Sequence, residues 1–351
     1  MTAMTFANAI NEALSIAMTH DKNVICYGLG VDDPKGVFGT TSGLQEKFGT
    51  ARVFDMPTSE NAMTGIGIGA ALYGMRPVMT HQRLDFALLS MDQLVNNAAK
   101  WRFMFGGRRG VPLTVRMILG RGWGQGPTHS QNLQAWFAHI PGLKVVMPST
   151  AEDAKGLLLS AIFDPDPVIF LEHRWLHNLR GDVPEGDVRV PLGKASCLRE
   201  GDDLTVVSMS YMTIEALHAV DHLREQGVHC DLIDLRTVNP IDWQAVESSV
   251  RRTGRLLALD TGTLTGSVSG EIVARIAGNC WDALKVAPQR LAMPDCPEAT
   301  SPSLTVHYHV RAEHIAERIG AMVSRNVEFK SLATQRKQPH DVPGDWFTGP
   351  F

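Results

Sequence analysis

One stretch near the start of the chain has the pattern of a strand, a helix and a second strand in succession. A short strand pattern at 52–54 ends just before residues 57–59, Pro-Thr-Ser, which are typical of a helix start. The helix pattern ends near Gly74, and a second strand pattern follows at 77–80. This order predicts a β-α-β unit and therefore a parallel sheet covered by helices.

The alternation of strand and helix patterns continues along the whole chain. A helix pattern at 151–163 leads to a strand pattern at 167–171, and a second set begins at Leu204 and ends with a helix at 312–323. At 351 residues the chain is long for one domain. We therefore expect two α/β domains with mostly parallel sheets, divided into a first domain at 1–190, a linker at 191–203, a second domain at 204–328 and a polar tail at 329–351.

Composition and charge exclude several classes of protein. The formal net charge of -4 gives no basic surface for nucleic acid or anionic membranes. We find no signal sequence and no apolar run of about 18 residues, so we expect a cytoplasmic protein. The five cysteines are far apart and form no C-x-x-C pair, which argues against a zinc site and a disulfide framework.

Glu60 stands where the first strand of the β-α-β unit meets the helix, and three interpretations of it are open. It is an ordinary acid favoured by the helix dipole, or a functional carboxylate aimed into a cleft. The third interpretation is a dinucleotide fingerprint formed by Gly65, Gly67 and Ala70, with Asp85 for the ribose. This match is weak, because the glycines of a fingerprint lie in the turn directly after the strand.

A glycine-rich segment at 119–131 contains His129 near its end. We expect His129 in the first turn of the next helix. There the helix dipole disfavours the imidazolium and keeps the imidazole neutral and able to accept a proton. The alternative is an exposed histidine without a functional role.

Several motifs follow one another in a fixed order between Phe6 and Val323. They are P-x-S-E with G-I-x-x-G-A-A at 57–71, M-D-Q-L-V-N-N-A-A-K at 91–100, H-S-Q at 129–131, W-F-A-H-I-P-G-L-K-V-V-x-P at 136–148 and E-D-A-K-G-L-L at 152–158. In these motifs the chain resembles the β subunit of the thiamine-diphosphate-dependent first component of 2-oxo acid dehydrogenase complexes. The family includes pyruvate, branched-chain 2-oxo acid and acetoin dehydrogenases. The resemblance implies a transketolase-type pyrimidine-binding domain followed by a transketolase C-terminal domain.

The resemblance also implies roles for individual residues. The glutamate of P-x-S-E, here Glu60, bonds the pyrimidine ring nitrogen of thiamine diphosphate, so that the ring can take the proton of the thiazolium carbon. Phe86 matches the aromatic residue that packs on the pyrimidine, and Gln82 lies near it. Thr58 replaces a Leu or Ile at the pyrimidine contact. His129 matches an active-site histidine that handles protons or orients the acyl acceptor.

The family binds the diphosphate through magnesium with a G-D-G motif, which this sequence lacks. The resemblance therefore implies a separate α subunit that supplies the diphosphate and magnesium ligands, in an α2β2 assembly. A lipoyl acyltransferase is a further expected partner. The resemblance also implies a structural potassium ion, bound by the backbone carbonyls of Leu113, Ala161, Ile162, Asp164 and Asp166.

The sequence has additional hydrogen-bond donors near the expected cleft, and these residues depart from those of the better-known members of the family. They are Arg83, Arg121, His173 and Arg174. Because arginine matches carboxylate and phosphate geometry, we expect a more polar or anionic substrate than pyruvate, bound by Arg83, Arg121 and Arg174. Alternatively, these arginines face solvent or the α subunit.

The leading prediction is the β half of an enzyme that decarboxylates a 2-oxo acid and passes the fragment on, commonly to a lipoyl group. The C-terminal half of a split transketolase is a second possibility. A non-catalytic nucleotide-binding or regulatory subunit is a third. The last aromatic residues of the tail, Trp346, Phe347 and Phe351, either anchor it onto a partner subunit or belong to a disordered end.

Overall fold

The computed structural model describes residues 1–349, so that Phe351 of the tail lies outside the described residues. The strands are β1 (Thr2–Thr5), β2 (Val24–Gly28), β3 (Val53–Asp55), β4 (Arg76–His81), β5 (Thr114–Leu119), β6 (Lys144–Val146), β7 (Val168–His173), β8 (Arg180–Val183), β9 (Ser196–Arg199), β10 (Leu204–Ser208), β11 (Cys230–Asp234), β12 (Thr237–Asn239), β13 (Leu256–Thr263) and β14 (Gln289–Met293).

The helices account for most of the remaining regular structure. They are α1 (Phe6–His20), α2 (Leu44–Phe48), α3 (Glu60–Leu72), α4 (Leu84–Ala87), α5 (Ala99–Met104), α6 (Gly126–His129), α7 (Gln134–Ala138), α8 (Ala151–Phe163), α9 (Tyr211–Arg224), α10 (Trp243–Thr253), α11 (Val268–Asn279), α12 (Ala312–Val323) and α13 (Lys330–Thr334). Among residues 1–349, every helix is too short or too polar to cross a lipid bilayer.

The chain divides into two compact units. The first unit comprises Met1–Arg121 and Trp136–Leu192, and the second comprises Gly122–Ala135 and the chain from Gly193 onward. The short segment that contains His129 therefore belongs to the second unit. Part of the linker expected at 191–203 is in fact a strand, because β9 pairs with β11 in the sheet of the second unit.

A parallel sheet forms the centre of the first unit. Its strands lie side by side in the order β6, β7, β5, β4, β2, β3, and each of these pairings is parallel. The strand β1 pairs with β8 in a separate antiparallel ribbon. Because the carboxyl ends of parallel strands meet at one edge, the residues that follow β2, β3, β4, β5 and β7 gather there.

The helices of the first unit are fixed by caps and by apolar faces. The side chain of Thr5 accepts a hydrogen bond from Asn8 N at 3.1 Å and so caps α1. Phe6, Ile10 and Leu14 recur at helical spacing on the buried face of α1, which packs against α8. Burial of such a face supplies most of the stability of a helix of this length.

The second unit has its own sheet and its own core. The strand order is β14, β13, β10, β11, β9, and only the edge strand β9 runs antiparallel to its neighbour. The core includes Val206, Leu232 and Leu257 from the sheet and Ile315 and Ile319 from α12. The tail from 329 to 349 is folded against this unit, and Phe347 is only 5% exposed.

Candidate active site

Glu60 lies at the carboxyl edge of the first unit's sheet, at the first position of α3. The strand β3 ends at Asp55, and a short connection brings the chain to Ser59, the cap residue of α3. Glu60 is only 4% exposed, and its backbone carbonyl accepts a hydrogen bond from the Thr64 hydroxyl at 2.8 Å. Among residues 1–349 its carboxylate forms no hydrogen bond or ion pair. A buried carboxylate at a helix start, with no partner in the chain, fits a ligand that offers it a hydrogen-bonding group.

The helix α3 lies unusually close to the strand β2. The Tyr27 hydroxyl donates to the Met63 carbonyl at 3.1 Å, and a Cβ built on Gly67 would lie only 2.2 Å from the Tyr27 oxygen. Gly67 therefore serves close packing. Gly65 and Ala70 also lie inside α3 rather than in the turn after a strand, so the dinucleotide interpretation is wrong.

Gln82, Phe86 and Thr58 surround the same edge. The Gly30 amide donates to Asp55 Oδ1 at 2.7 Å, and a Cβ built on Gly30 would lie 2.5 Å from Gln82 Nε2. Gln82 thus lies directly over Gly30, which holds its φ at +73°. Phe86 is half-buried in α4, whereas Gln82 and Thr58 are exposed. An aromatic ring for stacking, an amide and a carboxyl group make a set of contacts that suits an aminopyrimidine.

Buried arginines follow the ends of three neighbouring strands. Arg83 follows β4, Arg121 follows β5 and Arg174 follows β7, and each is at most 3% exposed. Arg83 Nη1 donates to the Gly120 carbonyl at 2.9 Å. The guanidinium carbon of Arg174 lies 4.5 Å from the ring centroid of Phe38, and that of Arg83 lies 5.8 Å from it. Burial lowers the pKa of Arg174 to about 10, which leaves it charged at neutral pH.

A buried ion pair lies beside these arginines and was not predicted from the sequence. Arg116 donates to both carboxylate oxygens of Glu172, at 2.7 and 3.0 Å, and both side chains are fully buried. Burial alone raises the pKa of Glu172, but the charge of Arg116 and hydrogen bonds from His177 and Arg116 outweigh it and hold the pKa below its ordinary value. The available signal was a charged residue inside each of two apolar strand patterns, in β5 and β7.

His177 completes this network. Its Nε2 lies 3.3 Å from Glu172 Oε2, and its ring stacks on Phe6 with centroids 5.9 Å apart. Burial lowers the pKa of His177 to about 4, although the bond to Glu172 opposes this change. His177 is therefore neutral at physiological pH.

The expected position of His129 at a helix N-terminus is wrong. Gly126, with a φ of +83°, and Pro127 start the short helix α6 earlier, and His129 is the last residue of α6. The helix-dipole argument for a neutral His129 therefore fails. His129 is half-buried and belongs to the second unit, whereas Glu60 belongs to the first.

The carbonyls expected to bind potassium already have hydrogen-bond donors. Leu113 O accepts from Val168 N at 2.9 Å, and Ala161 O accepts from Asp164 N at 3.2 Å. Arg76 donates to Ile162 O at 3.1 Å and to Asp164 O at 3.4 Å. A carbonyl oxygen has two lone pairs, so each of these four retains one for a cation. The carboxylate of Asp166 forms an ion pair with Arg102.

Comparison with known proteins assigns the class first. Residues 2–178 match the family described as "Transketolase, pyrimidine binding domain", and residues 193–315 match "Transketolase, C-terminal domain". A solved structure described as "Split gene transketolase, inactive beta4 tetramer" has the same fold, with a TM-score of 0.74 at 20% identity, over 92% of this chain and 99% of that chain. The fold and the two matches define a transketolase-like chain of two domains.

Relatives with higher identity assign the family within that class. The acetoin:2,6-dichlorophenolindophenol oxidoreductase subunit beta of Cupriavidus necator is 42% identical over 318 residues, which cover 88% of this chain and 94% of the relative. The 2-oxoisovalerate dehydrogenase subunit beta of Bacillus subtilis is 40% identical, with coverage of 90% and 97%. The chain belongs to the β subunits of the first component of 2-oxo acid dehydrogenase complexes. It is thus an oxidoreductase subunit that requires a separate α subunit.

Proposed function

We propose that this chain supplies half of the active site of a thiamine-diphosphate-dependent 2-oxo acid dehydrogenase. The observation that carries the proposal is the Glu60 carboxylate, which is 4% exposed, lies at the carboxyl edge of a parallel sheet and has no partner among residues 1–349. Thiamine diphosphate, when bound, supplies the carbon nucleophile that attacks the 2-oxo group and stabilises the charge left by decarboxylation.

The residues of the first unit have separate tasks in this proposal. Glu60 holds a proton at the pyrimidine ring nitrogen and so sets the protonation state of the cofactor's amino group. Phe86 packs on the pyrimidine face, Gln82 contributes an amide beside it, and Thr58 is part of the contact. His129 is the proposed catalytic residue of the second unit, where it orients the acyl acceptor or moves a proton to or from the product.

The rest of the active site comes from partners in this proposal. The α subunit supplies the diphosphate and magnesium ligands, and the two chains form an α2β2 assembly. A lipoyl acyltransferase accepts the fragment.

Potassium is a structural ion in this proposal and shares the carbonyls of Ile162 and Asp164 with Arg76. The midpoint of thermal unfolding in potassium chloride, compared with that in sodium chloride, tests this role of the ion. The five cysteines are all free thiols, which supports a location in the reducing cytoplasm.

The decisive experiment compares Glu60→Gln with Glu152→Gln, each coexpressed with the α subunit. Glu152 is a suitable control because it also lies in the first turn of a helix but is exposed. Decarboxylation of 2-oxo acids is followed with 2,6-dichlorophenolindophenol as the electron acceptor. We expect Glu60→Gln to reduce turnover by at least about 100-fold, the usual contribution of a positioned acid or base, and Glu152→Gln to leave it unchanged.

Calorimetry with thiamine diphosphate and magnesium tests the division of the active site. We expect binding to the α/β pair and none to this chain alone. Tight binding to the isolated chain contradicts the proposed half-site. Full turnover in Glu60→Gln contradicts the role of the carboxylate itself.

We further propose that Arg83, Arg121 and Arg174 bind a substrate with a second anionic group. Three buried guanidinium groups at adjacent strand ends support this proposal, because arginine binds carboxylate and phosphate in a bidentate geometry. Turnover of 2-oxoglutarate and pyruvate is measured for the native enzyme, Arg83→Ala and Arg174→Ala. We expect the native enzyme to prefer 2-oxoglutarate to pyruvate. We expect both Arg83→Ala and Arg174→Ala to lose this preference. An unchanged ranking means that the arginines have only a structural role.

A further inference from the structure

A cavity of about 690 Å³ lies within the second unit and has no role in the function proposed above. Its walls come from the segment 127–133 that contains His129, from residues 261–265 at and beyond the end of β13, from the loop 295–298 and from Tyr308. The volume is in the usual range for a small-molecule site. Thr128 and Ser130, the two sequence neighbours of His129, both line it.

Hydrogen bonds hold the walls of this cavity together. Asp260, which is fully buried, accepts from Gln134 Nε2 at 2.5 Å and from the amides of Gly262 at 2.9 Å and Ser269 at 3.0 Å. It thereby ties the His129 segment to the end of β13. The loop 295–298 is attached in the same way to the segment after β13. Thr265 donates its backbone amide and its hydroxyl to Asp295, at 2.8 and 2.6 Å. The cavity is therefore formed before a ligand arrives.

The lining of the cavity is rich in hydroxyl groups and lacks basic side chains. The hydroxyls belong to Thr128, Ser130, Thr261, Thr263, Thr265 and Tyr308, and no lysine or arginine occurs among its lining residues. It also contains two carboxylates: Asp295 accepts hydrogen bonds from Thr265, and Glu298 Oε1 lies 3.4 Å from His309 Nε2. An anion therefore meets no lysine or arginine here, and the two carboxylates of the wall repel it.

Two polar atoms of the wall are buried. Ser130 is 2% exposed, and its Oγ has no hydrogen-bond partner among residues 1–349. The same holds for Asn132 Oδ1. Neither atom is reached by solvent, so a ligand in the cavity contacts instead the hydroxyls of exposed lining residues such as Thr128 and Thr263.

We infer that this cavity binds a neutral, polyhydroxylated small molecule, a polyol or an unphosphorylated aldose, beside His129. Hydroxyl groups both donate and accept, so such a molecule matches a wall of threonine hydroxyls and amides. Binding of such a molecule needs neither the cofactor nor Glu60. This binding activity is therefore additional to the proposed function.

The test uses the complex of this chain with its α subunit and measures binding by saturation-transfer NMR and calorimetry. The probes are erythritol, D-erythrose, D-erythrose 4-phosphate and lipoamide. We expect erythritol and D-erythrose to bind, with no gain from the phosphate and no competition by lipoamide. Thr128→Val and Thr263→Val each remove one accessible hydroxyl from the wall and should weaken binding about two- to ten-fold, the worth of one hydrogen bond.

Thr334→Val is the matched control, because Thr334 is exposed on α13 and lies outside the cavity. Retention of the native unfolding midpoint shows that a variant is folded. The inference is overturned if the phosphate strengthens binding ten-fold, if lipoamide displaces erythritol, if neither neutral probe binds, or if both wall variants bind as the native complex does. Binding must persist in Glu60→Gln, so a failure of this site is distinct from a failure of the proposed function.

Discussion

The buried pair of Arg116 and Glu172 shows how strongly single residues support this site. Both side chains are fully buried, so removing one charge leaves the other without compensation in a medium of low dielectric constant. We expect Glu172→Gln to reduce the free energy of unfolding by about 3–5 kcal/mol, measured by urea denaturation.

The surface pair of Arg189 and Asp187 provides the control for this prediction. Its side chains are 36% and 27% exposed, and such pairs contribute at most about 1 kcal/mol. Asp187→Asn should therefore have a small effect. Equal losses in the two variants contradict the view that burial makes the Arg116–Glu172 pair critical.

Buried neutral histidines predict that acid destabilises the protein. Burial lowers the pKa of both His81 and His177 to about 4, below the ordinary value near 6.5. Between these values the unfolded chain binds more protons than the folded chain. The contribution of the two histidines to the free energy of unfolding is therefore complete above about pH 6.5 and is lost as the pH decreases toward 4. Each of the two histidines contributes a slope of up to about 1.4 kcal/mol per pH unit.

Urea denaturation of His81→Phe between pH 7 and pH 5 measures this contribution. His81 is 2% exposed, and its Nε2 has no hydrogen-bond partner among residues 1–349, so an apolar ring of similar size can replace it. We expect the slope attributed to the two histidines to decrease by about half. His229→Gln, at an exposed position, is the control. An unchanged slope in His81→Phe refutes the assignment.

At the scale of elements, the position of α3 depends on one glycine. A Cβ on Gly67 would lie 2.2 Å from the Tyr27 hydroxyl, whereas a Cβ on Gly69 meets nothing within 4 Å. We expect Gly67→Ala to cost about 1–3 kcal/mol in unfolding free energy and to reduce turnover, because the displaced helix carries Glu60 at its first position. Gly69→Ala should increase the free energy of unfolding by about 0.5–1 kcal/mol, because alanine has a higher helix propensity than glycine, and should leave turnover unchanged. Thermal unfolding and turnover of both variants test this contrast.

The elements also show where the sequence was informative. The helices at 151–163 and 312–323 were predicted with their observed bounds, because a helix pattern in the residues is a local property of the sequence. The position of His129 was mispredicted, because the positive φ of Gly126 that starts α6 early is not visible in a residue pattern. Glu60 was proposed as a site residue from a local motif, whereas Phe38 and the Arg116–Glu172 pair depend on contacts between distant segments, which a local motif does not show.

On the scale of the whole molecule, the tail is an integral part of the second unit. Arg311 is 3% exposed and donates to the carbonyls of His340, Val342 and Pro343 at 3.0–3.1 Å. Its Nε also lies 2.9 Å from Glu215 Oε1. One guanidinium group thus connects three tail carbonyls to α9, which explains why the polar segment after 328 has a fixed path.

A double-mutant cycle tests whether Arg311 acts through the tail. We expect Arg311→Lys to lower the unfolding free energy of the full chain by about 1–3 kcal/mol, because the single ammonium group cannot serve three carbonyls and Glu215 together. Deletion of 329–351 should also destabilise the chain. In the deleted chain Arg311→Lys should cost at least about 1 kcal/mol less, since the tail carbonyls are no longer there. Additive effects in urea denaturation, by contrast, mean that Arg311 stabilises the second unit through Glu215 alone.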